Sequence, residues 1–183
     1  MFEKQIQDGV YLRLMEERHA PEIFAVVDRE RVYLREWLPW VDLTTDSDYT
    51  ANFIRTMLEQ FARGEGLAAG VWVDDEYAGS IGTHKIDSLN RKVEIGYWIA
   101  SEYQGRGIMT AACRALIDHC FGEWSLNRVE IHCATGNEKS CAIPKRLGFR
   151  FEGVFRQAQL VNGAYLDINV YSMLCREWTQ RAS

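Results

Sequence analysis

Apolar positions alternate along this chain between a period of two and a period near three and a half. Val10-Tyr-Leu-Arg-Leu14 alternates and predicts an opening strand. From Pro21 to about Trp37, the residues Ile23, Val26, Val27 and Leu34 return at helical spacing until Pro39 stops the pattern. A second helix is predicted from about Asp48 to Arg63, where Phe53, Met57 and Phe61 lie four apart and Gly64 and Gly66 end the run. Strands Leu67–Val73 and Tyr77–Ile86 flank the acidic turn Asp74-Asp75-Glu76, and Lys92–Ile99 follows, which predicts an antiparallel meander. A glycine turn and an amphipathic helix fill roughly 104–122, then come a strand at Arg128–Ala134 and a short helix at Ser140–Leu147. Two long strands, about 150–161 and 164–174, meet at Asn162-Gly163, the strongest two-residue hairpin signal. Early helices, a meander, one βαβ crossover and a closing hairpin predict a single mixed-sheet α/β domain over residues 1–183.

Composition narrows the partners. At 183 residues and 47% hydrophobic, the chain can bury one sizeable core. A net charge of −5 argues against nucleic acid, whose phosphates need a basic surface, and is compatible with a cationic acceptor. The apolar runs are too short to cross a bilayer and the N-terminus lacks a signal-peptide pattern, so the expectation is a cytoplasmic protein with no membrane partner. Five cysteines without a Cys-x-x-Cys pair fit neither a disulfide framework nor a zinc site, and no metal is expected. A homodimer is left open.

The chemistry concentrates at Tyr103-Gln-Gly-Arg-Gly-Ile-Met-Thr110. A strand, a glycine turn and a helix in that order leave free N–H groups at a helix N-terminus, where the dipole favours an anion such as pyrophosphate. Gly105 and Gly107 let it approach the backbone, and Arg106 adds a cation at the rim. A dinucleotide fingerprint would need glycine or alanine where Thr110 stands, and a P-loop would need Gly-Lys-Ser/Thr, which the chain lacks.

Gln104-x-x-Gly107 after a strand, Asn137 and Ser140 some thirty residues on, and then Leu147-Gly148-Phe149 resemble the GNAT superfamily of acyl-CoA N-acyltransferases. Ile95-Gly-Tyr-Trp98, Leu34-x-x-Trp37-Leu38 and Asn162-Gly163-x-Tyr165-x-Asp167 are similar to its RimJ/RimL branch, which acetylates ribosomal-protein N-termini. Met109 stands where many relatives have glycine or alanine. The resemblance implies a mostly antiparallel mixed sheet with a central splay, flanked by helices, and acetyl-CoA as donor. It also implies an amine acceptor, most simply a protein N-terminus.

By the same resemblance, Gln104, Gly105, Arg106, Gly107, Ile108, Met109 and Thr110 hold the pyrophosphate. Trp98 and Ile99 offer backbone groups to pantetheine beside a bulge that Gly96 could mark, and Asn137 and Ser140 meet the pantetheine arm. Pro144 occupies the place where many relatives carry a tyrosine acid, which leaves Ser140 to assist the departing thiolate. Glu94 is the first candidate base, His132 the second and His84 a third near the acceptor. Trp37, Trp40, Tyr165 and Asp167 are candidates for the acceptor site. Each has a plainer reading: Asn137 as an N-cap, the tryptophans as a helix corner, and Tyr165 and Asp167 as one sheet face. Acetylation of a small amine, a non-catalytic acyl-CoA-binding module and, more distantly, a dinucleotide oxidoreductase are the competing functions.

Overall fold

The computed structural model describes residues 3–180. Strands β1 (Glu3–Gln7) and β2 (Val10–Leu14) form a hairpin, followed by α1 (Ala20–Arg29), α2 (Arg31–Leu34) and α3 (Ser47–Ala62). The meander is β3 (Ala68–Val73), β4 (Glu76–Thr83) and β5 (Lys92–Ile99). Next come α4 (Ile108–Gly122), β6 (Arg128–Ala134), α5 (Glu138–Arg146), the hairpin β7 (Arg150–Val161) and β8 (Ala164–Leu174), and α6 (Cys175–Thr179). The eight strands make one sheet in the order β1-β2-β3-β4-β5-β6-β8-β7. Every neighbouring pair is antiparallel except β5 and β6, which the α4 crossover joins in parallel. No helix among the described residues is long and apolar enough to cross a membrane.

The sheet lies between two helical layers. Successive strand residues face opposite sides, and the adjacent pair Tyr97 and Trp98 separates the layers. The Trp98 ring stacks on Tyr77 and Trp40 on the side of α1 and α3, while the Tyr97 hydroxyl reaches Ser140 on α5. Helix α4 buries Ile108, Ala112, Cys113, Leu116, Ile117 and Cys120 against the sheet's second face. All five cysteines are free thiols, four of them buried.

Several local expectations need correction. The helix predicted from 21 to 37 breaks at Glu30, whose φ of −91° and ψ of 5° lie outside the helical region. Its buried carboxylate accepts the backbone N–H and the hydroxyl of Ser101, both at 3.1 Å, and so ties the break to the end of β5. Glu76 belongs to β4; the turn is Asp74-Asp75, both in the left-handed region that a two-residue hairpin needs. The next strand stops at Thr83, short of Ile86. Gly96 marks no bulge, since β4 and β5 pair without a shift from Gly79↔Ile99 to Thr83↔Ile95.

The splay has another origin. Pairing between β5 and β6 ends at Ile95↔Ile131, and β6 continues to Ala134 against β8 alone. Residues 96–99 are left with no partner strand on that side, and a wedge opens at the end of β5.

Candidate active site

The last residues of β5 present backbone groups to this wedge, and strand alternation says which. Glu94 O accepts from His84 N at 2.9 Å, and Ala100 N donates to Ala78 O at 2.8 Å. In an antiparallel ladder these contacts recur at every second residue, so the backbones of 94, 96, 98 and 100 face β4. Tyr97 and Ile99 therefore turn their N–H and C=O groups into the wedge. The Ile99 backbone faces the wedge, whereas the expected Trp98 backbone serves β4 and its side chain lines the cavity below. Tyr97 takes its place.

The chain then enters the glycine turn. Gly105 (φ 74°) and Gly107 (φ 76°) are left-handed, a region that side chains with a Cβ seldom adopt. Gly107 is the N-cap of α4, and its carbonyl takes the helix's opening backbone bond, from Ala111 N at 3.1 Å. The N–H groups of Ile108, Met109 and Thr110 precede that bond and have no intrahelical acceptor. Cations surround them. Arg106 lies over the Tyr103 ring, Lys139 Nζ donates to Gln104 Oε1 at 2.8 Å, and Arg146 donates to Thr110 Oγ1 at 2.8 Å. Gln104 Nε2 is buried beside the Tyr33 phenol. A helix N-terminus and the cations around it fit the pyrophosphate of a nucleotide-like acyl donor.

Across the wedge, Asn137 caps α5, its Oδ1 accepting from Ser140 N at 3.1 Å, so the plainer reading of its carbonyl holds while its amide nitrogen stays free of that task. Ser140 Oγ lies 3.5 Å from the Tyr97 hydroxyl, which itself donates to the Ser140 carbonyl at 3.0 Å. Burial pushes the Tyr97 phenol well above its ordinary pKa and keeps it protonated. Cys141 is buried against the Ala134 carbonyl at 3.5 Å, an inert packing role.

A cavity of about 760 Å³ opens where β5 and β6 part, between the α1 and α3 layer and the sheet. Trp37, Trp40, His84, Trp98, His132 and Ser140 all line it. Trp37 also rests against Gly136, where an added Cβ would meet its ring at 3.5 Å. Among the described residues, Glu94 is the sole carboxylate on its wall. The final hairpin forms the opposite wall. Between Phe155 and Gln159, β7 bulges away from its β8 register and brings Phe155, Ala158 and Gln159 to the cavity. Asp167 does not face an acceptor there; its carboxylate takes the Gln157 N–H at 2.7 Å and holds the bulge. Tyr165 is 63% exposed and outside the lining. At the hairpin tip, Asn162 donates its side-chain N–H to the Arg35 carbonyl.

The candidate bases form one cluster. His132 Nδ1 lies 3.1 Å from Glu94 Oε2, His84 Nε2 3.5 Å from Glu94 Oε1, and His132 Nε2 2.9 Å from Glu130 Oε2. Burial alone would lower the His132 pKa, yet Glu94 and Glu130 together hold it above the ordinary value. Sequence reasoning missed Glu130 and Tyr97 as site residues. The signal for Glu130 was its place in Arg128-x-Glu130-x-His132, three polar residues on one face of a strand expected beside the splay.

Comparisons with known proteins agree with this geometry. An acetyltransferase (GNAT) domain model matches residues 10–150. The provisionally named ribosomal N-acetyltransferase YdaF of Bacillus subtilis (strain 168) is 41% identical over 179 residues, 97% of this chain and 98% of that protein. The ribosomal-protein-serine acetyltransferase of Escherichia coli (strain K12) is 29% identical over 170 residues, 93% of this chain and 95% of its own. A solved structure of RimL, the ribosomal L7/L12 α-N-protein acetyltransferase, in complex with coenzyme A superposes with a TM-score of 0.91 at 28% identity and covers 94% of this chain and 98% of that one. The wedge, the glycine turn and the family match lead to one conclusion: the chain belongs to the GNAT family and is an acetyltransferase.

Proposed function

We propose that this enzyme transfers acetyl from acetyl-CoA to the α-amino group of a protein N-terminus, a ribosomal protein first among them, by direct attack in a ternary complex. The observation that carries the reading is the wedge beyond Ile95↔Ile131. Beside it lies the cavity whose wall, among the described residues, carries Glu94 as its single carboxylate.

The N–H groups from Gly105 to Thr110 take the pyrophosphate, with Arg106, Lys139 and Arg146 at its rim. Tyr97 and Ile99 pair their backbone with the pantetheine arm, alongside Asn137. An N–H in the wedge polarises the thioester carbonyl as charge develops on its oxygen. Ser140 Oγ gives a hydrogen bond to the leaving thiolate, and Tyr97 holds α5 at that distance. Glu94 faces the incoming ammonium and receives its proton, with His132 behind it. Binding both substrates in register supplies the proximity term.

Two observations support a peptide acceptor. Relatives named for ribosomal-protein acetylation match over nearly their full length, and the cavity wall is mostly aromatic and aliphatic around one carboxylate. A polyamine calls for several carboxylates, whereas an N-terminus brings one ammonium. The test incubates the purified protein and acetyl-CoA with N-terminal peptides and with small amines, following thiol release and product mass. Acetylated peptide is the expected product. Turnover of polyamines with none on any peptide would replace the peptide with a small amine, and no thiol release with any amine would leave only a binding module.

A further inference from the structure

The proton taken from the acceptor needs a way out of an aromatic cavity, and a second cavity lies behind its wall. This cavity, about 660 Å³, is lined by Lys92, Arg128, Glu130, His132 and Glu152 among others. His84, Lys85, Glu94, His132 and Phe155 line both cavities, whereas Glu130 lines the second one alone. The parallel register sets Glu94 beside Glu130, and His132, two residues further on the same face of β6, bridges them.

We infer that Glu94, His132 and Glu130 form a proton relay that empties the acceptor cavity into the second cavity, with Glu130 the positioning residue at its exit. The inference rests on the acetyl-transfer reading above. The ammonium gives a proton to Glu94. Neutral His132, carrying hydrogen on Nε2, accepts that proton at Nδ1 and releases its Nε2 proton to Glu130, which passes it to water. One N–H bond of the amine is broken and one proton reaches solvent; exchange with water, which removes the Nδ1 proton and restores one at Nε2, returns all three groups to their starting state.

The surroundings favour the last step, release from Glu130. Arg128 donates to Glu130 at 2.8 Å and also pairs with Glu152, and Lys92 Nζ lies 4.0 Å from Glu130. Burial tends to raise the Glu130 pKa, but Arg128 and His132 outweigh it and hold the pKa below the ordinary value. A proton arriving there is therefore shed readily. From the remaining elements, His84 and Lys85 follow β4, and the Phe155 ring meets the imidazole edge to face with the ring centroids 5.9 Å apart. Below its raised pKa, His132 already holds both protons and the relay stops, so the acidic limb of kcat/KM reports His132.

Glu130→Gln separates a relay from a merely structural carboxylate, because glutamine still accepts a hydrogen bond from Nε2 yet carries no charge and takes no proton. His132, followed by NMR through its ring protons, should titrate about one pH unit lower. The acidic limb, measured with the acetylated peptide or amine, should move with it while the plateau kcat falls roughly tenfold or more. An unmoved NMR titration would overturn the inference, as would a shifted titration with the limb left in place. His132→Asn serves as a second variant and should abolish the limb; a persisting limb counts against the relay. The NMR measurement needs no acceptor, so a failed search for acceptors would sink the proposed function and still leave Glu130's hold on His132 decided.

Discussion

The Tyr97 hydroxyl donates to the main-chain carbonyl of Ser140 across 3.0 Å, pinning the first turn of α5 to the last turn of the central strand. Two functional parts meet there. Tyr97 turns its backbone into the wedge, and Ser140 supplies the hydroxyl that faces it. Pro144, one turn further along α5, is buried and has no hydrogen to donate. In the proposed mechanism, protonic assistance to a leaving thiolate is assigned to Ser140, with the Tyr97 phenol 3.5 Å behind.

Ser140→Ala should lower kcat by about 10- to 1,000-fold, the scale of one positioned hydrogen bond to a developing charge. Acetyl-CoA affinity, measured by calorimetry, should change far less. Tyr97→Phe keeps the ring and loses the contact to α5, so its kcat should fall by a smaller factor. A parental kcat in Ser140→Ala would remove the serine from the mechanism.

Gly107→Val tests the pyrophosphate turn. An added Cβ would meet only Gln7 Nε2, at 3.7 Å, so the fold has room for it. The left-handed φ of 76° is the obstacle, at about 1–2 kcal/mol for a side chain with a Cβ. Stability should drop modestly while acetyl-CoA binding is lost. Binding that survives in the folded variant would place the pyrophosphate elsewhere.

Legibility followed the range of the forces involved. Lys92–Ile99 and Arg128–Ala134 are strands to the residue, because alternation over seven or eight positions is a strong local signal. Asn162-Gly163 turns where its chemistry requires, with both φ values positive. Strand β1 gave no such signal: Glu3-Lys-Gln-Ile-Gln7 holds one apolar residue, and its order comes from edge pairing with β2. The break at Glu30 is set by Ser101, far along the chain, and nothing local announces it. At the site, the glycine turn could be read from residue type and spacing; Ser140 came from the family resemblance, and Glu94 and His132 stood as separate candidates whose contact only the structure shows. Which β5 backbones face the wedge could not, because that depends on the hydrogen-bond phase against β4.

Acid should reveal the Arg128–Glu152 pair. The Arg128 guanidinium, helped by the Ser172 hydroxyl, holds the Glu152 pKa at about 2, below an ordinary 4.5. A carboxyl depressed on folding contributes stability above its unfolded pKa and loses it as pH falls through the folded one. Glu152→Gln should therefore be less stable than the parent at neutral pH, and the gap should close between pH 4.5 and 2. With the side chain 37% exposed, solvent screening limits the gap to about 1 kcal/mol. Urea denaturation at several pH values measures it, and a gap that stays constant with pH would deny Glu152 this role.

The acceptor cleft has two walls, and the tryptophan and tyrosine expected there separate cleanly. Trp37 lines the cavity and rests on Gly136, beside the Asn137 cap. Tyr165 stands in solvent on the outer hairpin, and Asp167 is occupied with the β7 bulge. Trp37→Ala removes a large aromatic surface from the cavity wall, so the KM for a peptide should rise several-fold to about 100-fold. Acetyl-CoA binding, which uses the opposite end of the wedge, should remain. Tyr165→Ala should leave both parameters near the parent. Asn162→Gly accepts the same left-handed turn and deletes only the contact to Arg35. Freeing the hairpin tip from Arg35 should raise peptide KM with little change in kcat. Steady-state kinetics on one acceptor peptide with all three variants decides the matter. If Tyr165→Ala raises KM and Trp37→Ala does not, the peptide runs over the outer face of the hairpin rather than through the cavity.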